Sequence, residues 1–368
     1  MKKFIRALLL MGILVLAACA PNTSTEKEVE EATQETAQEE AAPEETLKIE
    51  ILIPGNKEDN GFMEAAHRGY EKIKSDIENV EVNYISDISA TSDEEELTAA
   101  MRELANKKPH LIIAQGGQNN KPAETVSKEF PDVKFIVIQG NVKGENLGSY
   151  TVDQEQSAYL AGALAGLMTN ADKVGHLSGA WPQPGLNARA AYYNGLMAVN
   201  PDAEFYTTFT GNLDDIEINK YAAERQLEQG VDVIYTMLNG GREGATVAIK
   251  EKAADTYEIG NVIDWTKEDD VFIGSAVADS SVAIFTAAKD LRENQLKVNE
   301  ITIMGLENED VVNITMSDRV PKETQDKVLE LKDKILSGEI KISTEYTGQE
   351  FDPNTGDFVG QDYKEKLK

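Results

Sequence analysis

The chain has 368 residues, 36 Lys and Arg against 65 Asp and Glu, a net charge of −29 and one cysteine. So acidic a balance excludes nucleic acid as a partner, because phosphate binding needs a positive face, and a single cysteine excludes an internal disulfide framework. The length is ample for two packed lobes.

The first element is a leader over 1–18. Lys2, Lys3 and Arg6 precede an apolar run from Ala7 to Leu16 and the small residues Ala17 and Ala18, which is the layout of a secretory signal and too short to span a bilayer. Leu16, Ala17 and Ala18 in front of Cys19 match the bacterial lipobox. In that motif the cysteine thiol takes a diacylglyceryl group and becomes the first residue after cleavage. Cys19 is therefore the expected lipid anchor, and the membrane is expected to be touched through that lipid alone. Residues 20–46 carry nine Glu against one Lys and no aromatic, so they cannot bury enough apolar surface to fold. From Cys19 to residue 46 the chain reads as a disordered, self-repelling tether. With +3 on the leader and −8 on the tether, residues 47–368 keep −24 of the −29.

From Leu47 a strand, turn, helix pattern repeats. "LKIEILIPG" is followed by "NGFMEAAHRGYEKIKSDI", with Phe62, Ala66, Tyr70, Ile73 and Ile77 at helical spacing. "EVNYIS" leads to a helix over about 93–106, "HLIIAQGG" to one over about 121–129, and "KFIVIQGN" and "NLGSYTVD" lead to "QEQSAYLAGALAGLMT". The second half repeats the alternation with "KVGHLSGA", "EFYTTFTG", "DVIYTML", "YEIGNVID" and "FIGSAVAD". "EITIMGLENEDVVNIT" reads as one further strand and "PKETQDKVLELKDKILSGEI" as a last helix. Strands apolar on both faces and alternating with helices predict an α/β fold, two doubly wound parallel-sheet lobes. The expected division is 47–168 plus about 279–300 for the first lobe and 169–278 plus about 301–345 for the second. Residues 346–368 are expected as a surface tail.

In such sheets ligands bind beyond the carboxyl ends of the strands. The loops there carry Asp59, Asn60, Gly61, Phe62 and Met63; Gln115, Gly116 and Gln118; Gln139; Trp181; Asn239 and Gly240; Asp264 and Trp265; and Ala278. Glycines, amides and aromatic faces are what a cleft for a small, flat molecule needs. The glycine clusters fit tight βα turns equally well, and Phe62 is also in phase with Tyr70 as a core residue. Trp181 in "GAWPQPG" and Trp265 behind Asp264 both read as exposed loop aromatics.

Catalytic signatures are missing: there is no Gly-x-Ser-x-Gly, phosphate-binding loop, dinucleotide fingerprint or HExxH. His67, His110 and His176 are scattered, so neither a metal nor another cofactor is expected. The paired carboxylates follow from the acidic composition as solvated faces.

"NGFMEAAHRGYEKI", "PDVKFIVIQGN", "DQEQSAYLAGALAGLMT", "KVGHLSGAWPQPGLNARAAYYNGLMAVNPDAEF", "GVDVIYTMLNGGREGA" and "ILSGEIKI" together resemble the basic membrane protein family of lipoproteins, also called purine nucleoside receptor-like. The resemblance runs in one order over about 47–345. It implies a fold similar to type I periplasmic binding proteins, two lobes closing on a solute, and no enzyme activity. It also implies a monomeric receptor on the outer face of the cell membrane, with a nucleoside-like ligand and the permease subunits of an ABC importer as partners. Carried over, it implies that Phe62 stacks on a base and that Asp264 accepts ribose hydroxyls. The chain departs from the family at Met63 and Glu64, at Gln139 where an Asp is usual, and at Ala278 where a Lys is usual. A related, less polar or differently substituted flat ligand fits those changes. Two other readings stay open, a sensing lipoprotein that contacts a signalling receptor and a nucleoside-processing hydrolase.

Overall fold

The computed structural model describes residues 45–88, 93–252 and 255–361, so the leader, Cys19 and the tether up to residue 44 lie outside the described residues. The first lobe is a six-stranded sheet in the order β11-β5-β4-β3-β1-β2, parallel throughout. Its strands are β1 Leu47–Leu52, β2 Val80–Ile85, β3 Leu111–Gln115, β4 Lys134–Ile138, β5 Leu147–Val152 and β11 Ile301–Met304. Helices α1 Phe62–Asp76, α2 Glu94–Asn106, α3 Asn120–Glu129 and α8 Ser280–Arg292 cover it. Covered on both faces, β3 is buried at every position, which is why it reads as an unbroken apolar run.

The second lobe repeats the plan in the order β12-β10-β9-β8-β6-β7, with β12 antiparallel to β10. It comprises β6 Lys173–Ser178, β7 Glu204–Phe209, β8 Val233–Met237, β9 Tyr257–Val262, β10 Phe272–Ala278 and β12 Val312–Met316. Its helices are α4 Gln154–Met168, α5 Gln183–Val199, α6 Ile216–Glu228, α7 Arg242–Lys252 and α9 Lys322–Leu336. Both sheets are thus the doubly wound α/β layers that the alternation predicts.

Three details differ from expectation. Residues 300–315 are not one strand: Gly305 to Asp310 form a turn, so β11 joins the first sheet and β12 the second. Helix α4 packs on α5 and on β10 and β12, so the first lobe stops near Asp153 rather than at residue 168. The reason lies in "SAYLAGALAG", which is buried from Ser157 to Gly166 without a polar stripe. A Cβ on Gly162 would lie 1.9 Å from the Tyr192 carbonyl oxygen, and one on Gly195 1.9 Å from that of Tyr159. The two helices therefore touch backbone to backbone, which only glycine allows. The tail is not all surface, since Glu350 and Phe351 are fully buried in a short hairpin of β13 Glu350–Phe351 and β14 Phe358–Val359.

The chain passes between the lobes at three adjacent places. Asp153 N–H donates to the Met304 carbonyl at 2.9 Å, Leu306 N–H to Gln156 Oε1 at 2.7 Å, and Asp279 N–H to the Val311 carbonyl at 2.8 Å. This is a hinge of three strapped crossings.

Candidate functional site

The loop behind β1 is organised by Asp59, which is 7% exposed. Its carboxylate accepts the N–H groups of Gly61 (2.9 Å), Met63 (3.1 Å) and Glu64 (2.9 Å), closing the free donors of the first turn of α1. It also accepts Asn239 Nδ2 from the second lobe at 3.0 Å. Burial pushes this carboxyl above its ordinary value, against the pull of the three N–H groups. Beside it a Cβ on Gly61 would lie 2.1 Å from Asn239 Oδ1, so glycine is what lets the lobes meet there. Asn60, at φ 53°, turns its N–H to Glu64 Oε2 at 2.9 Å. Asp59, Asn60, Gly61, Asn239 and Gly240 thus form a seam between the lobes.

Behind the seam the first lobe presents half-buried Phe62 and Met63. Gln115 ends β3 fully buried, and its Nε2 donates to the Phe62 carbonyl (2.7 Å) and to Ser280 Oγ (3.0 Å). Its Oε1 is buried with no hydrogen-bond partner among the described residues. Gly116, at φ 93°, turns the chain towards half-buried Gln118. Gln139 spends its amide on the neighbouring strand: Oε1 accepts Val152 N–H at 2.5 Å and Nε2 donates to the Val152 carbonyl at 3.1 Å. It acts as an added rung of the sheet. Ala278 is the half-buried last residue of β10, packed against the core. The next residue, Asp279, caps α8 and pairs with Arg68 of α1 at 3.1 Å.

The two tryptophans separate. Trp181, half-buried in the loop after β6, lies 5.7 Å from the Phe209 ring at 31°. Its indole Nε1 is buried with no partner among the described residues. Trp265 donates its Nε1 to the Asn261 carbonyl at 2.8 Å, carries the Arg242 guanidinium 4.3 Å from its ring centre and lies 5.6 Å from Phe272. Asp264 starts that turn. Its Oδ1 accepts Thr266 N–H (3.1 Å), Thr266 Oγ1 (2.6 Å) and Thr315 Oγ1 (2.8 Å), and Lys267 pairs with Oδ2 at 3.0 Å. Burial alone would raise this carboxyl, but Thr266, Thr315 and Lys267 outweigh it and hold it below its usual range. Trp265, Asn60, Asn239 and Gly240 also line a groove of about 470 Å³ along α7.

Sequence reasoning missed the polar chain under Trp265. Arg242, 3% exposed, donates to the Leu238 carbonyl and to Asn261 Oδ1. Burial pulls it down to about 10, while Glu258 pulls it back up. Glu258, fully buried on β9, accepts Thr236 Oγ1 at 2.7 Å. Burial pushes it up to about 7, against the hydroxyls of Thr236 and Thr246 and the charge of Arg242. Nothing in "GGREGA" or "YEIGNV" marks these charges as internal. His176, also unassigned by spacing, is fully buried on β6, and its Nδ1 lies 2.9 Å from Thr207 Oγ1. Burial holds its imidazole well below the ordinary value.

Comparison with known proteins agrees with this architecture. Residues 46–345 match the Bmp family, described as ABC transporter substrate-binding protein PnrA-like. The chain is 25% identical over 304 residues to Basic membrane protein A1 of Borrelia garinii, covering 80% of this chain and 88% of the relative. It is 24% identical over 395 residues to an uncharacterized lipoprotein of Pyrococcus furiosus, covering 94% and 93%. Among solved structures, a solute-binding protein of an ABC transporter system from Aeropyrum pernix superposes with a TM-score of 0.72 at 23% identity, covering 81% of this chain and 94% of that one. That likeness speaks to the fold. No helix among the described residues is long and apolar enough to cross a membrane. By the match over 46–345 and by its two-lobed fold, the chain is a member of the Bmp family of PnrA-like ABC transporter substrate-binding proteins.

Proposed function

We propose that this protein is a lipid-anchored, monomeric receptor that closes its lobes on a purine nucleoside or a related flat heterocycle and passes it to an importer's permease. The observation that carries the reading is that, of the several buried polar atoms without partners among the described residues, two sit at loops of the expected cleft, one in each lobe. One is the donor Trp181 Nε1 in the second lobe, the other the acceptor Gln115 Oε1 in the first, both at carboxyl ends of parallel strands. A buried polar group left unpaired costs about 1–3 kcal/mol, so a ligand that supplies both partners recovers that energy and favours the closed form. A heterocyclic base has acceptors and donors along its edge and a flat face for Phe62 and Trp181. Asp59 and Asn239 fit the role of a latch that holds the lobes shut over it.

Since Asp264 already accepts from Thr266 and Thr315 and pairs with Lys267, the ligand meets it only if one of those bonds yields. Anchoring through Cys19 is supported by the lipobox and by a relative that is named a lipoprotein. Mass spectrometry of membrane-extracted protein, expected to find a diacylglyceryl group on Cys19, checks it.

The binding test is a thermal-shift and calorimetric screen of the chain without its leader against adenosine, guanosine, inosine, free bases and simple sugars. A raised melting temperature with nucleosides is expected, and Trp181→Ala should then weaken binding more than about tenfold, or 1.4 kcal/mol. The reading fails if nucleosides at millimolar concentration leave the melting temperature unmoved, or if the protein turns them over.

A further inference from the structure

The family match ends at residue 345, yet the chain beyond it is built into the second lobe. Residues 343–361 form a strap along α5, α6 and the edge strand β7. Asn194 Nδ2 donates to the Ser343 carbonyl at 3.2 Å, Thr208 Oγ1 to the Phe351 carbonyl at 3.0 Å, and Arg225 Nε to the Pro353 carbonyl at 2.9 Å. Phe351 is fully buried in the apolar cluster around Leu177 and Tyr206.

Next to it Glu350, also fully buried, places its Oε1 3.4 Å from Nη1 of Arg189 on α5, a residue only 2% exposed. The Arg189 guanidinium lies 4.1 Å from the ring centre of Tyr346 in the strap and 5.4 Å from that of Phe209. Phe209 is the ring against which Trp181 rests. Contacts therefore run without a break from the strap carboxylate to the indole in the loop after β6.

We propose that Glu350, acting through Arg189 and Phe209, is a positioning residue that fixes Trp181 in the cleft. That Trp181 meets a ligand rests on the function proposed above; the coupling from strap to indole does not. A guanidinium in a dry interior is costly unless acceptors meet it, and for Arg189 the nearest carboxylate is that of Glu350. Burial lowers Arg189, and Glu350 is foremost among the groups that pull it back up. Without that carboxylate the cation turns towards water or draws water in. Phe209 then loses the charged plane it packs on, and Trp181 loses its backing.

The test uses the full chain carrying Trp265→Phe, which leaves Trp181 as the only tryptophan. Adding Glu350→Gln is expected to shift the Trp181 emission to the red and at least double its quenching by acrylamide, while thermal melting stays cooperative. If E350Q does not fold, Glu350→Asp, which keeps the charge but withdraws it by one methylene, is expected to move the same spectrum. A lowered melting temperature with emission and quenching unchanged overturns the proposal, because a purely structural strap would behave that way. Titration with adenosine separates the two readings. If affinity falls at least threefold in step with the spectral change, both stand; a moved spectrum with adenosine binding intact keeps the coupling and removes Trp181 from the ligand site.

Discussion

The loops after β6 and after β9 occupy equivalent places in the second sheet, and each carries a tryptophan, but they are finished differently. Trp265 has its indole N–H bonded, its face on Arg242 and a 3₁₀ turn pinned by Asp264 beneath it. Among the described residues Trp181 has one aromatic neighbour, and its buried donor has no partner. The difference teaches that an aromatic residue at a sheet's carboxyl edge is not enough to mark a ligand contact. What counts is whether the protein has already satisfied it. The loop after β9 is completed by its own lobe, whereas the loop after β6 is left incomplete.

Substitutions can break or sharpen this contrast. The largest effect is expected from Arg242→Met, which removes the buried guanidinium that bonds the Leu238 carbonyl and Asn261 and on which Trp265 lies. A loss of about 2–3 kcal/mol in denaturant unfolding is expected, from the Leu238 carbonyl and Asn261 amide left without their donor, without a specific loss of affinity in whatever remains folded. Trp265→Ala should cost about 2 kcal/mol of stability, below the range for fully buried rings because this one is half-exposed, and leave ligand affinity within about twofold. Trp181→Ala should do the reverse, with stability changed by less than about 1 kcal/mol and the affinity loss given above. Stability loss from W181A as large as that from W265A would erase the distinction.

The polar chain under Trp265 also sets a pH signature. Glu258 is raised from 4.5 to about 7 in the folded state, so folding favours its protonated form. Its contribution is fully present below about pH 4.5 and is lost as pH rises towards 7, by at most about 1.4 kcal/mol per unit. His176 has the opposite sign. Its folded value lies well below 6.5, so it contributes stability above that pH, and this is lost as pH falls and the unfolded imidazole takes a proton. Glu258→Gln should therefore steepen the acid loss that His176 produces between pH 5 and 6.5. The check is the slope of melting temperature against pH in the two proteins.

How far the sequence reveals all this depends on the kind of signal. The alternation of strands and helices is legible because a sheet covered on both faces demands apolar runs such as "LIIAQ" of β3. The loops at the strand ends are legible for the same reason, since turns need glycine and amides. Strand membership near 300–315 is not, because Gly305 to Asp310 read equally well as a bulge within one strand or as a passage between two sheets. Gln139 and Asp264 look like cleft residues on position alone. They turn inward on their own scaffold because Val152 and the Thr266–Thr315 pair happen to be in reach.

Periodicity and the order of local units determined by themselves that this chain would fold as two layered α/β lobes. Those properties depend on neighbours a few residues apart and on how much apolar surface each segment owns. Which indole keeps a free donor, which arginine is sealed behind which carboxylate, and that residues past 345 complete the second lobe were decided only by the tertiary structure. The cost of burying a polar group is set by partners that chain order keeps far apart, Arg189 and Glu350 among them.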